Sequence, residues 1–230
     1  MKWLDFHPRR FWSAERGLTA LLFFLCFLFI AQYPLSHFSF GPILAKLVFS
    51  LVILAGVLAT FAHPWVRAGA ISLAVAALAV TWVAEVRPGG LVFVVRTGLG
   101  LIYLGFLLAV VMVQVFQPGT VTSHRIRGAI VAYLLFGLAW GTAYQFLALI
   151  NPGAFQLPAN VSADDPDALT RALTYFSFIT LTTVGYGDII PIHPLARLLT
   201  MSEALVGQLY PVVTLARLVS LEILHRTERH

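Results

Sequence analysis

Thr180-Leu-Thr-Thr-Val-Gly-Tyr-Gly-Asp188 is the stretch around which the chain is arranged. Ahead of it, residues 171–182 read as a short, mostly apolar helix. Behind it, residues 195–222 form an apolar run long enough to cross a bilayer, which takes about 20 residues. A short helix, a turn with two glycines and a spanning helix make the layout of a re-entrant loop. Irregular backbone of that kind enters a membrane only where protein buries it or water lines it.

The composition says what the loop is built into. The chain has 230 residues, 59% hydrophobic and 11% charged, with a mean hydropathy of +0.86. A soluble domain of this length cannot hide that much apolar surface, so the bulk of it must face lipid. Cys26 is the single cysteine, which excludes an intramolecular disulfide and a cysteine-rich metal or iron–sulfur site. The net charge of +5 would suggest nucleic acid in a soluble protein. Here the basic residues sit mostly at the ends of apolar runs and read as topology signals, so no nucleic-acid partner is expected. The first apolar run, 17–35, is long for a signal-peptide core and lacks a small-residue cleavage site, so it reads as a retained helix.

Working outward, the apolar segments are 18–33, 43–62, 68–84, 91–116, 129–150 and 195–221. The predicted fold class is an all-α membrane protein of six transmembrane helices, with a re-entrant helix between the last two. The predicted organisation has a cytoplasmic N-terminal segment (1–16), a four-helix membrane unit (17–117) and a cytoplasmic linker (118–127). A pore unit (128–222) follows, comprising an outer helix (128–150), a short helix (171–182), the turn (183–187) and an inner helix (195–222). A cytoplasmic tail (223–230) ends the chain. Six spans put both termini on one side. Placing them in the cytoplasm of a cell or bacterial inner membrane puts Arg9, Arg10, Arg67, Arg125, Arg127, Arg226 and Arg229 inside. The acidic 151–167 loop is then outside, with Arg87 and Arg171 as minor exceptions to the positive-inside pattern.

Thr182-Thr-Val-Gly-Tyr-Gly-Asp188 resembles the selectivity filter of potassium channels, in which backbone carbonyls replace the hydration shell of K+. The residues agree with that reading. Carbonyls can cage a dehydrating cation only if they all point one way, which an L-residue chain does poorly because alternate residues must take left-handed dihedrals. Gly185 and Gly187 do so without a Cβ penalty. The resemblance implies K+ held by Thr183, Val184, Gly185, Tyr186 and Gly187, with the Thr183 hydroxyl beneath the innermost site. Val184 and Tyr186 have bulky side chains to pack outward and hold the ring open. K+ is then the permeant ligand, and no other cofactor is expected. One loop supplies one side of a pore, so the resemblance also implies a homotetramer.

The resemblance extends over about 129–221 and is to a small bacterial-type channel with a two-helix pore domain, here preceded by four extra helices. Tyr175 stands where many members have a tryptophan bonded to the aspartate after the filter, here Asp188. Ile179 stands where some carry a glutamate, so that carboxyl pair is missing. Pro191 and Arg197 match the turn and early inner helix of simple bacterial channels, and Gly207 falls at the hinge glycine. Thr182, Tyr175, Asp188 and Glu203 are thus candidate filter supports. Glu203 lies one turn before Gly207, where a carboxylate costs a few kcal/mol and rarely faces lipid. It reads either as a cation attractor in the cavity or as a satisfied partner behind the filter near Thr180 or Thr182. Gly207 and Pro211 are spaced i, i+4, so the missing Pro211 N–H centres a kink on that turn. The pair reads as a gating hinge or as a permanent packing kink.

Six helices resemble the voltage-gated layout, but the fourth carries only Arg96. One charge in each of four subunits supplies roughly 9 kcal/mol per 100 mV, whereas a steep switch needs about three to four charges per subunit. Arg96 also lies about 8 Å from the start of its helix, within reach of the interface by snorkelling. Steep voltage gating is not expected. Few residues follow 221, so no large ligand-binding module is expected after the inner helix. His124, Arg125, Arg127, His225, Arg226, Arg229 and His230 are either topology charges or a basic ring for anionic lipid headgroups, with Arg125, Arg127 and Arg226 the candidate contacts. The expected function is therefore a potassium-selective, passive channel, the alternative being a weakly selective monovalent cation channel on the same pore fold. An intramembrane enzyme would need a nucleophile, HExxH or facing-histidine pattern that the sequence lacks. A transporter of the related kind would carry four degenerate loops where this chain has one.

Overall fold

The computed structural model describes residues 8–35, 41–60, 64–87, 89–117 and 122–227, and of 8–16, 31–35, 42, 64 and 222–227 the backbone only. Arg229, His230 and the side chains of Arg9, Arg10, His225 and Arg226 lie outside the described residues. The described residues are all-α but for two two-residue strands. The helices are α1 (Pro8–Leu35), α2 (Gly41–Ala59), α3 (Pro64–Val86), α4 (Gly90–Phe116), α5 (Ser123–Ile150), α6 (Pro166–Leu181) and α7 (Pro194–Thr227). Among the described residues four stretches are long and apolar enough to cross a membrane: Trp65–Val86, Gly90–Phe116, Ser123–Ile150 and Pro194–Leu221. Gly17–Ile30 and Ile43–Ala59 are apolar but shorter.

Several helices run past the apolar segments that mark them. α1 begins at Pro8 rather than 17, α5 at Ser123 rather than 128, and α7 continues to Thr227 rather than ending at 222. Hydropathy marks where a helix meets lipid, whereas a helix ends where its backbone is stopped. No Gly or Pro interrupts 123–127, and Arg127 Nε donates back to the Ser123 carbonyl at 3.3 Å. α6 begins at Pro166, five residues before the expected start. Asp165 caps it, accepting from the amides of Asp167 (2.9 Å) and Ala168 (3.2 Å). Pro166 takes the first helical position, where its missing N–H costs nothing.

Consecutive helices pack side by side, and α5 touches α1, α4, α6 and α7. That position follows from its two buried halves. Val131, Ala132 and Leu135 join a core with Leu21, Ile53 and Leu104 of the first four helices. Tyr144 and Leu147 join a second core with Phe155, Leu173, Phe176 and Ile189. The first core is pinned by Tyr103, whose hydroxyl donates to the Ile53 carbonyl at 2.6 Å. The second seats α6. Its outer edge is closed by strands β1 (Phe155–Gln156) and β2 (Ile190–Pro191), antiparallel with Phe155 opposite Pro191. The Ala154 carbonyl extends that ladder by accepting from the amides of Ile192 (2.8 Å) and His193 (3.1 Å). The 151–165 connection is thereby tied to the far end of the glycine turn.

Candidate functional site

The site grows from the C-terminus of α6. The Ile179 carbonyl accepts from the amides of both Val184 (2.8 Å) and Gly185 (3.1 Å), and Thr183 N donates to the Thr180 carbonyl at 2.9 Å. These bonds turn the N–H groups of the strand back toward α6. Thr183, Gly185 and Gly187 have φ of 62°, 54° and 78°. A left-handed residue at every second position brings successive carbonyls to one side, where an ordinary strand alternates them. The glycines adopt this freely; Thr183 is a β-branched residue in a region that such residues seldom occupy. Its conformation is held by the bonds on either side.

Within one chain this strand has no cover. Thr182 to Asp188 are all exposed, Val184 by 52% and Tyr186 by 73%. The outward packing expected for these two side chains is therefore not made within the chain. Ile189, by contrast, is buried in the second core and anchors the exit of the strand. Tyr175 is half-buried against that core.

α7 closes the site from behind, and one face of it does so. Glu203, Gly207, Tyr210 and Thr214 are buried, at i, i+4, i+7 and i+11, the repeat of a single helical stripe. Glu203 is 0% exposed. Its Oε2 accepts from the Tyr144 hydroxyl at 2.5 Å, and its Oε1 is bonded to the Ser177 hydroxyl. Ser177 Oγ also lies 2.7 Å from the Gly137 carbonyl. One expectation placed the glutamate behind the filter near Thr180 or Thr182; Thr182 Oγ1 donates instead to the Phe178 carbonyl at 2.7 Å. The difference is one of helical register. Ser177 is three residues before Thr180, on the side of α6 that meets α5 and α7. The glutamate thus joins three helices and faces no open cavity.

Gly207 is in contact rather than in open space. A Cβ there would overlap the Leu181 carbonyl oxygen, to which the Tyr133 hydroxyl also donates at 3.3 Å. Pro211 lies within α7, which continues through it. One residue beyond Gly207, Gln208 Nε2 donates to Thr183 Oγ1 at 3.3 Å. Gln208, Tyr144 and Ser177 are site residues that the sequence reading missed. Gln208 had a legible signal, since it is the one exposed polar side chain of α7 between Ser202 and Arg217. At the opposite end of the bundle, Arg125 is buried at 8% exposure. Arg127 is half-buried and donates to Thr19 Oγ1 at 2.5 Å.

A profile described as ion channel matches residues 132–222. Protein LctB of Bacillus caldotenax is 30% identical over 125 residues, covering 51% of this chain and 92% of that protein. This chain belongs to the ion channel family. The resemblance to potassium channels read from its filter-like strand stands with that assignment. The two pore potassium channel c of Oryza sativa subsp. japonica is 39% identical over 88 residues, covering 38% of this channel and 18% of the rice protein. No solved structure matches this channel. Family and apolar helices together make it a multi-pass membrane protein.

Proposed function

We propose that the chain is one subunit of a homotetrameric, potassium-selective channel that conducts K+ passively through the carbonyls of Thr183, Val184, Gly185, Tyr186 and Gly187. One observation carries this reading: left-handed residues alternate at 183, 185 and 187 while the amides of 184 and 185 are tied to Ile179. Carbonyls aligned in this way supply the oxygen cage that a dehydrated cation requires. Exposed, unpaired backbone of this kind cannot face hydrocarbon, so the strand must line a water-filled axis made with other copies. The exposure of α7 supports the same reading. Only 17% of its apolar window is buried within the chain, against 50% for α5.

In this proposal α1 and α2 also cross the membrane. The 19 residues of α2 reach about 28 Å, close to the roughly 30 Å of a hydrocarbon core. Six crossings place both termini in the cytoplasm and make α6 a re-entrant helix entering from outside. Tyr175, Thr182, Asp188 and Glu203 support the filter, and Gly207 and Pro211 bend the inner helix. Arg127 and Arg226 meet anionic headgroups on the inner side. With Arg96 alone on α4, the conductance is not steeply voltage-dependent. The chain catalyses no reaction and takes no cofactor beyond the permeant ion.

The test is reconstitution of the purified chain, with the reversal potential measured under a potassium/sodium gradient and block by barium. A potassium-selective reversal potential and a detergent-corrected mass of four chains are expected. Equal permeability to the two ions would move the assignment to a weakly selective cation channel. A mass of one or two chains would sink the four-sided pore.

A further inference from the structure

A cavity of about 150 Å³ lies between the first four helices and the α5–α6 corner. Its lining comes from one end of the bundle: Lys46 near the start of α2, Arg96 in the second turn of α4, Gln145 near the end of α5 and Arg171 in the second turn of α6. That end carries the start of α6 and, in the proposed topology, lies at the outer interface. The wall is of two kinds. Leu28, Phe49 and Leu138 make one part apolar, and charged groups make the other.

The charges do not cancel. Lys46 Nζ is already engaged by Glu85 and by Asp167, the latter at 3.1 Å. Arg96 also lies in the field of these two carboxylates, and Asp167 itself lines the cavity; three cations face two acids, and among the described residues neither Arg96 nor Arg171 makes a direct hydrogen bond or ion pair. The Arg96 guanidinium rests over the Phe93 ring, 5.1 Å from its centroid. Guanidiniums held at membrane depth ordinarily pair with an anion, and a forked donor matches a phosphate best. The threonines of the wall add the complementary feature. Thr97, Thr142 and Thr170 each donate their hydroxyl proton to their own helix, at 2.8, 2.7 and 2.7 Å. The Thr97 and Thr142 oxygens are left as acceptors for a ligand's hydroxyls, whereas the Thr170 oxygen already accepts from the Gln145 amide.

We propose that this cavity binds the headgroup of an anionic phospholipid bearing free hydroxyls, with the phosphate between Arg96 and Arg171 and the hydroxyls on the Thr97 and Thr142 oxygens. Such a lipid joins α4 to the pore-side helix α6, on the face of the membrane opposite the Arg127 end. The first four helices then serve to present a lipid site to the start of α6. The site stands apart from ion selectivity, because its test reads binding alone.

The test is native mass spectrometry of the full chain titrated with phosphatidylglycerol or phosphatidylcholine. Thermal unfolding in phosphatidylcholine confirms that each variant is folded. Retention of phosphatidylglycerol over phosphatidylcholine is expected. Arg96→Gln and Arg171→Gln should each weaken it about tenfold, the size of one charge-assisted contact. Glu85→Gln, which removes a competing carboxylate from beside Lys46 and Arg96 while Asp167 still holds Lys46, should strengthen it. Free sn-glycerol 3-phosphate should fail to displace the lipid. Equal retention of both lipids, undiminished retention by the two arginine variants, or weakening by Glu85→Gln would overturn the site. Displacement by the free phosphate ester would overturn its assignment to a lipid.

Discussion

Gln208 and Glu203 are polar side chains five residues apart on the same membrane helix, and they face different worlds. Glu203 is sealed between α5, α6 and α7 by Tyr144 and Ser177. Ser177 has one hydroxyl proton and two oxygen neighbours, Glu203 Oε1 and the Gly137 carbonyl. A glutamine at 203 can offer an N–H to Ser177 and a carbonyl to Tyr144. Glu203→Gln should therefore preserve thermal stability, whereas Glu203→Leu takes the carboxylate from the buried Tyr144 hydroxyl at a cost of about 1–3 kcal/mol, Ser177 keeping the Gly137 carbonyl. Denaturation of the two variants in detergent checks this, and equal stability would remove the supporting role. Gln208 instead reaches the exposed hydroxyl of Thr183. Losing one neutral hydrogen bond is worth about 0.5–1.5 kcal/mol. Gln208→Leu should accordingly shift barium affinity from the inner side by about two- to tenfold, with potassium selectivity retained. Unaltered block kinetics would show that the amide does not act on the innermost site.

At the scale of the element, α7 carries two features that a linear reading merges into one hinge. Gly207 is needed for contact, since any Cβ meets the backbone of Leu181 at the root of the filter-like strand. Overpacking against fixed backbone costs about 1–3 kcal/mol, so Gly207→Ala should lower the unfolding midpoint and degrade selectivity together. Pro211 is exposed and has no such contact. Pro211→Ala should restore the missing amide bond, straighten the helix and alter open probability with selectivity unchanged. Single-channel recording separates the cases. A Gly207→Ala variant of normal stability and selectivity would return that residue to a purely flexible role, and unaltered gating in Pro211→Ala would end the hinge.

Among the described residues there are two cores, and α5 and α7 contribute to both. α5 lends its first half to the four-helix unit and its second half to the seat of α6. At 28 residues it is about 42 Å long, ample to cross the bilayer. In a Cys26→Ala background, Ser123→Cys and Ser162→Cys should react with a membrane-impermeant maleimide from opposite faces of sealed vesicles. Labelling from one face would contradict a spanning α5 and the proposed topology with it. Assembly belongs to this scale too. Among the described residues the strand from Thr182 to Asp188 has partners behind it but none at its open side; in the proposed tetramer neighbouring copies provide them.

The filter-like run was legible because glycine at alternate positions is a local demand of backbone geometry, and the family assignment follows from the same residues. The apolar segments were legible because lipid imposes hydropathy on length. Helix ends were less so: polar residues at 123–127 continue a helix that hydropathy alone would stop, and the Asp165-Pro166 cap was readable but lay inside an acidic loop. What the sequence by itself determined is therefore the strand and the membrane class. Only the tertiary structure decided that Thr183 shares the left-handed conformation, that Glu203 bonds Tyr144 and Ser177, that Gly207 is a contact and that Arg96 looks into a cavity. Those facts depend on helix rotation and on neighbours distant in sequence, which short-range pattern does not encode.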